Sequence, residues 1–376
     1  MEITAAVSKL DGGTFELRKL TLDEPREDEI LVAIAAVGLC HTDVVAHHNG
    51  FEFDRDAVLG HEGAGVVMAV GAAVTKVKPG DRVAISYRSC GTCGNCSSGH
   101  PSYCFDVATL NFAGMRPDGS RAIHDGEVDL VSNFFGQSSF ASHALTYERN
   151  VVRLDGDIPF HVAAPMGCGF QTGAGAVLNS FGARTGDAIV IAGGGAVGLS
   201  AVMAARIAGC SPIILIEPFA ARRELALELG ASDVIDPAAL NGGLDEAVRA
   251  IIPDGAHYAF DTTGSKPVLD GLLLSLRPRG ILGIVGISDP ETPLPGDVNT
   301  VMSLGHRIIG ILEGDSDPDE FLPRLIGYYR EGLFPVDKLI QTYDFEDFNR
   351  GLTDQEAGKC VKIVYTFGGS KPADQE

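Results

Sequence analysis

Three glycines constrain this chain more tightly than any other feature. The apolar run AIVIAG ends in Gly193, Gly195 and Gly198 follow at G-x-G-x-x-G spacing, and a helical pattern opens at once. In a strand–turn–helix unit the first glycine permits the tight turn, the second lets a bound group approach the backbone, and the third brings helix and strand together. The free N–H groups at the helix start then face phosphate oxygens. A plain structural turn also uses glycines, so the surroundings decide. Across residues 168–312 strand-like runs (AIVIAG, PIILIEP, YAFDTTG, ILGIVGI) alternate with helical ones (AVGLSAVMAARIAG, AARRELALELGA, PVLDGLLLSLRPRG). That alternation predicts an α/β, doubly wound parallel sheet of the Rossmann type. The strand PIILIE ends in Glu217, placed to accept hydrogen bonds from a ribose diol and to repel a 2′-phosphate, which predicts NAD over NADP. Arg222, five residues on, is placed either to help hold the adenosine ribose or to complicate this preference.

The eight cysteines do not read as a disulfide framework. Four crowd into Cys90-x2-Cys93-x2-Cys96-x7-Cys104, while Cys40, Cys168, Cys210 and Cys360 are scattered. Tight clustering in a reducing compartment reads as metal binding. Four thiolates suit a closed, tetrahedral structural zinc. An iron–sulfur cluster is the rival, weakened by the wide gap before Cys104 and by the lack of a proline after it.

At 376 residues the chain predicts about two domains. The first third is rich in strand-like runs (EILVAIAAVGL, GAGVVMAV, DRVAISY) broken by turn signals such as KPGD. Beyond Gly314, FLPRLIGYYREG reads as a helix and CVKIVYTF as a strand, and the tail GGSKPADQE is expected to fray. The predicted division is residues 1–169, 170–312 and a C-terminal return over 313–376. A net charge of −21 argues against nucleic acid as a partner. No run of eighteen apolar residues suggests a membrane partner. The start MEITAAVSKLDGGTFEL lacks the pattern of a signal peptide, so a cytoplasmic location is expected.

Cys40 lies in GLCHTD, His61 and Glu62 in GHEGAGVVMAVGAAV, and Cys168 in PMGCGFQTGAGAV. Singly, each has a bland reading as a core cysteine or a hydrogen-bonded core histidine. Together with the four-cysteine cluster and the glycine fingerprint, in this order, they resemble the zinc-dependent medium-chain alcohol dehydrogenases over nearly the whole length. Gly60-His61-Glu62-x2-Gly65-x5-Gly71 matches that family's zinc signature. The resemblance implies a β-rich, GroES-like catalytic domain over 1–169 carrying a structural zinc lobe, and an NAD-binding domain over 170–312. It also implies two zincs per chain. Cys40, His61 and Cys168 would hold the catalytic one, with Glu62 behind it and able to ligate during exchange, and a water or substrate oxygen would take the open position.

An open Cys2His zinc polarises an alcohol oxygen and lowers its pKa. Thr42 stands where the family places the hydroxyl that accepts the alcohol proton; the alternative is a cap for a helix starting near Asp43. Val45 stands where relatives carry a relay histidine, so the cofactor ribose, His47 or His48 would pass the proton on, unless those histidines are merely exposed on a loop. His41 replaces an arginine that contacts the cofactor pyrophosphate. Lys362 aligns with a second basic residue near the pyrophosphate, or is a surface lysine. His41 with Val45 resembles the branch acting on benzylic and allylic alcohols, which implies a hydrophobic primary alcohol, aromatic or terpenoid, as substrate, with Tyr87 near the pocket. Residues 105–136 resemble the loop of dimeric members, so a homodimer is expected. Two alternatives stay open. One is a glutathione-dependent formaldehyde dehydrogenase, which needs a basic pocket; the other is a non-catalytic zinc- and NAD-binding protein.

Overall fold

The alternation in the second half of the chain builds one parallel sheet. The structure, a computed structural model, describes residues 1–48 and 51–368, so the end of the tail, residues 369–376, lies outside the described residues. The chain forms two compact units: Met1–Gly169 with Asp317–Gly327 and Val336–Glu376, and Phe170–Ser316 with Tyr328–Pro335. The second unit therefore runs on to Ser316 rather than ending at Leu312, and it takes back residues 328–335.

Six strands make the sheet of the second unit, in the spatial order Asp233–Ile235, Ile213–Ile216, Ile189–Ala192, Ala256–Asp261, Leu276–Ile284 and Arg307–Gly310. Every neighbouring pair is parallel. The chain starts at Ile189–Ala192 near the middle, walks to one edge, then crosses to the other side at Ala256–Asp261. This is the doubly wound order whose reversal opens a crevice at the carboxyl ends of the two central strands. The strand residues IVIA and IILI are buried throughout, as strands covered on both faces must be. The helix Ala196–Ala208 follows the first strand and stops at Gly209, whose φ of 79° gives the left-handed C-terminal cap.

The first unit is mostly antiparallel. One sheet runs Ala57–Val58, Glu2–Ser8, Glu16–Leu22, Ile123–Asp125, Val128–Asp129. The other is organised around the ten-residue strand Glu29–Gly38, which pairs with Gly63–Val70, His143–Tyr147 and the late strand Lys362–Thr366. The predicted strand CVKIVYTF thus returns to the first unit, with Val364 opposite Gly38. Two register shifts break the pairing of Glu29–Gly38 with Gly63–Val70. Such bulges bend a strand and re-aim its side chains, and they are common next to active sites.

Residues 105–136 are anchored by an unexpected buried ion cluster. Arg116, 2 % exposed, donates to both oxygens of the equally buried Glu29 at 2.7 and 2.9 Å and to Asp23 at 2.6 Å. Tyr147 also donates to Glu29, at 3.2 Å. A buried guanidinium persists only where such acceptors meet it.

Candidate metal and dinucleotide sites

The long central strand ends at Gly38, and two residues later Cys40 caps the short helix His41–His47. Asp43 closes the cap by accepting the Cys40 N–H at 3.0 Å on one oxygen. Its other oxygen accepts the Gly60 N–H at 3.1 Å and His61 Nδ1–H at 2.9 Å. The last bond sets the tautomer: with the proton on Nδ1, the lone pair sits on Nε2. Nε2 is buried and makes no hydrogen bond among the described residues. Donor atoms of Cys40, His61, Glu62 and Cys168 all lie within 4.8 Å of one another. A hydrogen bond from Cys168 above all, with His61 beside it, holds the Cys40 thiol well below its usual pKa. A buried imidazole nitrogen without a hydrogen bond, beside one acidified thiol and a second cysteine, is what a soft or borderline cation requires, and the set Cys, His, Cys fits zinc.

Glu62 lies behind these donors. One oxygen accepts the Gly169 N–H at 3.0 Å, and the other lies 2.5 Å from the Lys362 ammonium. Burial pushes its pKa up to about 7 against the pull of Lys362. Room for the pair exists because position 38 is glycine, since any Cβ there would collide with the Glu62 carboxylate. Lys362 also donates to the Leu39 carbonyl at 3.0 Å and is only 2 % exposed. Lys362 is therefore no surface lysine: its ammonium is enclosed and paired with Glu62.

Thr42 lies inside the helix, so Cys40 and Asp43, not Thr42, cap it; its hydroxyl is 3.9 Å from Cys40 Sγ. His41 is exposed and Val45 half-buried. His47 is not on an exposed loop. It is buried in the helix, with Nδ1 2.7 Å from the Ser8 hydroxyl and Nε2 2.8 Å from the Gly13 carbonyl, and its ring stacks on Phe15. Both nitrogens are engaged, so His47 does not replace the histidine missing at Val45. His48 is exposed at the end of the helix. Tyr87 is buried.

Aromatic rings run outward from the His61 imidazole. Phe135 stacks on it with centroids 4.3 Å apart and planes at 20°, and Phe134 meets it edge-on at 5.7 Å. Phe112 contacts Phe135 at 5.1 Å and stacks on Phe51 at 5.0 Å. Phe51 and Phe112 are partly buried and pack against the core, so the array runs from the metal donors to rings that solvent reaches only in part.

The second cysteine set is compact. Donor atoms of Cys90, Cys93, Cys96 and Cys104 lie within 4.8 Å of each other, with Sγ–Sγ distances of 3.9 Å for Cys90–Cys96 and 4.0 Å for Cys93–Cys104. Zn–S bonds of about 2.3 Å give a tetrahedral edge of about 3.8 Å. One ion fits this spacing, and a four-iron cluster would force the sulfurs apart. Backbone N–H groups of Cys93 and Phe105 point at Cys90 and Cys93 sulfur, at 3.3 and 3.5 Å, as suits thiolates.

At the glycine fingerprint Gly193 has φ 96°, and a Cβ there would strike the Thr262 hydroxyl. A Cβ at Gly198 would strike the Gly193 carbonyl, whereas nothing lies within 4 Å of one placed at Gly195, which caps the helix Ala196–Ala208. The open space is where a phosphate would sit against the helix start. Glu217 is buried at the end of its strand and accepts the N–H groups of Gly194 at 2.5 Å and Phe219 at 2.9 Å. It therefore fastens the glycine loop while keeping acceptor capacity for a diol. Arg222 lies over the Phe219 ring, 4.9 Å from its centroid.

Sequence reasoning missed Asp43 and Gln137 as supports of His61. Asp43 could have been found from its place three residues after Cys40, at the N3 position of a cap.

Residues 26–156 match the family model described as alcohol dehydrogenase GroES-like domain, and residues 196–326 match zinc-binding dehydrogenase. A geraniol dehydrogenase of Castellaniella defragrans is 45% identical over 96% of this chain and 97% of its own. A crystal structure of an alcohol dehydrogenase zinc-binding domain protein from Burkholderia ambifaria superposes with a TM-score of 0.95 at 42% identity, covering 98% of this chain and 100% of that one. That of benzyl alcohol dehydrogenase from Acinetobacter calcoaceticus gives 0.94 at 37% identity, with the same coverage of 98% and 100%.

Proposed function

We propose that this chain, which belongs to the zinc-dependent medium-chain alcohol dehydrogenase family, oxidises aromatic and allylic primary alcohols to aldehydes with NAD. The observation that carries the substrate class is the aromatic array beginning on His61, because flat unsaturated groups pack well against ring faces. The geraniol and benzyl alcohol dehydrogenases among its relatives support the same class.

Cys40, His61 and Cys168 would hold the catalytic zinc. Bound there, zinc supplies a Lewis acid that lowers the pKa of an alcohol oxygen, and NAD accepts the hydride. Asp43 keeps His61 in the tautomer that donates through Nε2. Thr42, beside Cys40, would accept the alcohol proton. From Thr42 the proton would pass to the cofactor ribose or to the exposed His48, since Val45 carries no titratable group and His47 is tied to Ser8 and Gly13. Gly195 and the helix start behind it would receive the pyrophosphate, with His41 as a further contact. Glu217 would take the ribose diol, with Arg222 near the adenosine. Cys90, Cys93, Cys96 and Cys104 would hold a structural zinc, which braces the fold and has no open position for chemistry.

NAD reduction across an alcohol panel tests the substrate reading. Benzyl and geranyl alcohol should exceed ethanol in kcat/KM by about 100-fold, the scale on which a hydrophobic pocket discriminates. Strong reduction with S-hydroxymethylglutathione and none with those two alcohols would overturn it in favour of the formaldehyde dehydrogenase branch.

A homodimer is also proposed. Arg307–Gly310 is an edge strand of the six-stranded sheet, and Leu294, Val298 and Met302, just before it in sequence, are each more than 70% exposed. An open edge with apolar neighbours favours pairing with a second copy. Sedimentation should give twice the 39.4 kDa chain mass, and a monomer at micromolar concentration would sink the assignment. The four-thiolate site supports a reducing compartment, the cytoplasm. No helix among the described residues is long and apolar enough to cross a membrane.

A further inference from the structure

Residues 133–138 form a turn that the backbone would not choose unaided. Asn133, Phe135 and Ser138 have φ of 67°, 53° and 51°, and Gly136 lies between them at 64°. Three left-handed residues other than glycine within six positions persist only where the surroundings over-determine them, and such strain gathers at functional sites. Here the surroundings are on hand. The Ser138 hydroxyl accepts the Phe134 N–H at 2.9 Å and donates to the Val58 carbonyl at 2.6 Å. The Asn150 amide donates to the Phe135 carbonyl at 2.8 Å and the Ser86 carbonyl at 3.3 Å. Asn133 donates to the Tyr147 hydroxyl at 3.2 Å.

The strained turn delivers one buried amide to the peptide groups on both sides of Glu62, the first of them belonging to His61. Gln137 Nε2 donates to the His61 carbonyl at 2.8 Å and to the Ser86 carbonyl at 3.2 Å. Its Oε1 accepts the Gly63 N–H at 3.1 Å and the Ser139 hydroxyl at 2.9 Å. Every donor and acceptor direction of the amide is used, so it has a single orientation. The same turn lays Phe135 against the face of the imidazole, while Asp43 holds its Nδ1 edge. The ring is thus fixed by face, edge and backbone, and only Nε2 is left open.

We infer that Gln137 is a positioning residue for the reaction: it clamps the His61–Gly63 backbone through the strained turn and so aims His61 Nε2 at the catalytic metal. This rests on the assignment of His61 as a ligand of that metal. Gln137 itself, buried within the turn, acts only through His61. A donor aimed a few tenths of an ångström off distorts the coordination polyhedron and weakens the site's hold on its ion.

The test uses the zinc enzyme and the same enzyme with cobalt(II) at the catalytic site, in wild type, Gln137→Met and Asn133→Ala. Gln137→Met removes the amide at similar volume. Asn133→Ala loosens the turn from its far end, by replacing a residue that tolerates positive φ with one that does not. For Gln137→Met we expect a shifted cobalt ligand-field spectrum, release of the catalytic zinc to a chelator about 10-fold faster, and kcat down about 10-fold with KM for NAD unchanged, while the structural zinc stays bound. Asn133→Ala should shift the same three readouts by less, and it decides the matter if Gln137→Met does not fold. Spectrum, chelator rate and kcat all unchanged in a folded variant would overturn the clamp. A wild-type chain that binds only one metal would instead overturn the metal assignment beneath it.

Discussion

Cys40→Ser should abolish turnover and leave a folded chain that carries one zinc instead of two. The thiol sits at the cap of the helix His41–His47, held by neighbouring groups in an environment that favours thiolate. A serine hydroxyl fits the same space but stays neutral near pH 7, so the donor set loses a negative charge and a soft ligand together. Lewis-acid stabilisation worth several kcal/mol then disappears, and at about 1.4 kcal/mol per tenfold in rate the expected fall in kcat is about three orders of magnitude or more. The cap should survive, because its other half is the Asp43 carboxylate on the Cys40 backbone N–H. Cys93→Ser makes the opposite pattern. It opens the four-sulfur site, whose binding free energy is folding free energy, so thermal stability should fall before any intrinsic rate changes. Metal analysis with steady-state kinetics on both variants separates the two sites. A Cys40→Ser enzyme that kept most of its activity would remove Cys40 from the catalytic metal.

These two cysteine sites were legible to different degrees. Cys90, Cys93, Cys96 and Cys104 fall within fifteen positions, so spacing alone brings their sulfurs near one ion. The glycine fingerprint is likewise local, and the parallel sheet followed from the alternation around it. Cys40, His61 and Cys168 converge only because the strands Glu29–Gly38 and Gly63–Val70 pair and the chain then returns at Cys168, a long-range fact that no local pattern encodes. The resemblance to a family supplied that set, where periodicity could not. Side chains whose role is set wholly by tertiary neighbours were misread or missed. His47 looked like a loop histidine because its partners, Ser8 and Gly13, lie more than thirty residues away. Gln137 gave no signal at all, since its four bonds reach His61, Gly63, Ser86 and Ser139 through a turn in which three of the four left-handed residues are not glycines.

Lys362 is the residue whose meaning changed most, and its replacement gives the second large effect. Lys362→Met should destabilise the zinc-loaded enzyme by about 3–5 kcal/mol, the range for breaking a buried ion pair from one side. The penalty arises from what remains. Glu62 is fully buried, and without the ammonium its charge is met on the protein side by the Gly169 N–H alone among the bonds described. Glu62→Gln strands the lysine in the same way, with only the Leu39 carbonyl to accept from it. The double variant Lys362→Met/Glu62→Gln removes both charges and keeps an acceptor for Gly169, so it should recover most of the loss. Urea unfolding of the four proteins in this cycle yields the coupling directly. Additive losses would mean the two charges do not need each other, and the pair would then have no claim to shape the site. Strong coupling would explain why position 38 is glycine: a Cβ there would push the Glu62 carboxylate off its cation, and that carboxylate lies within reach of all three zinc donors.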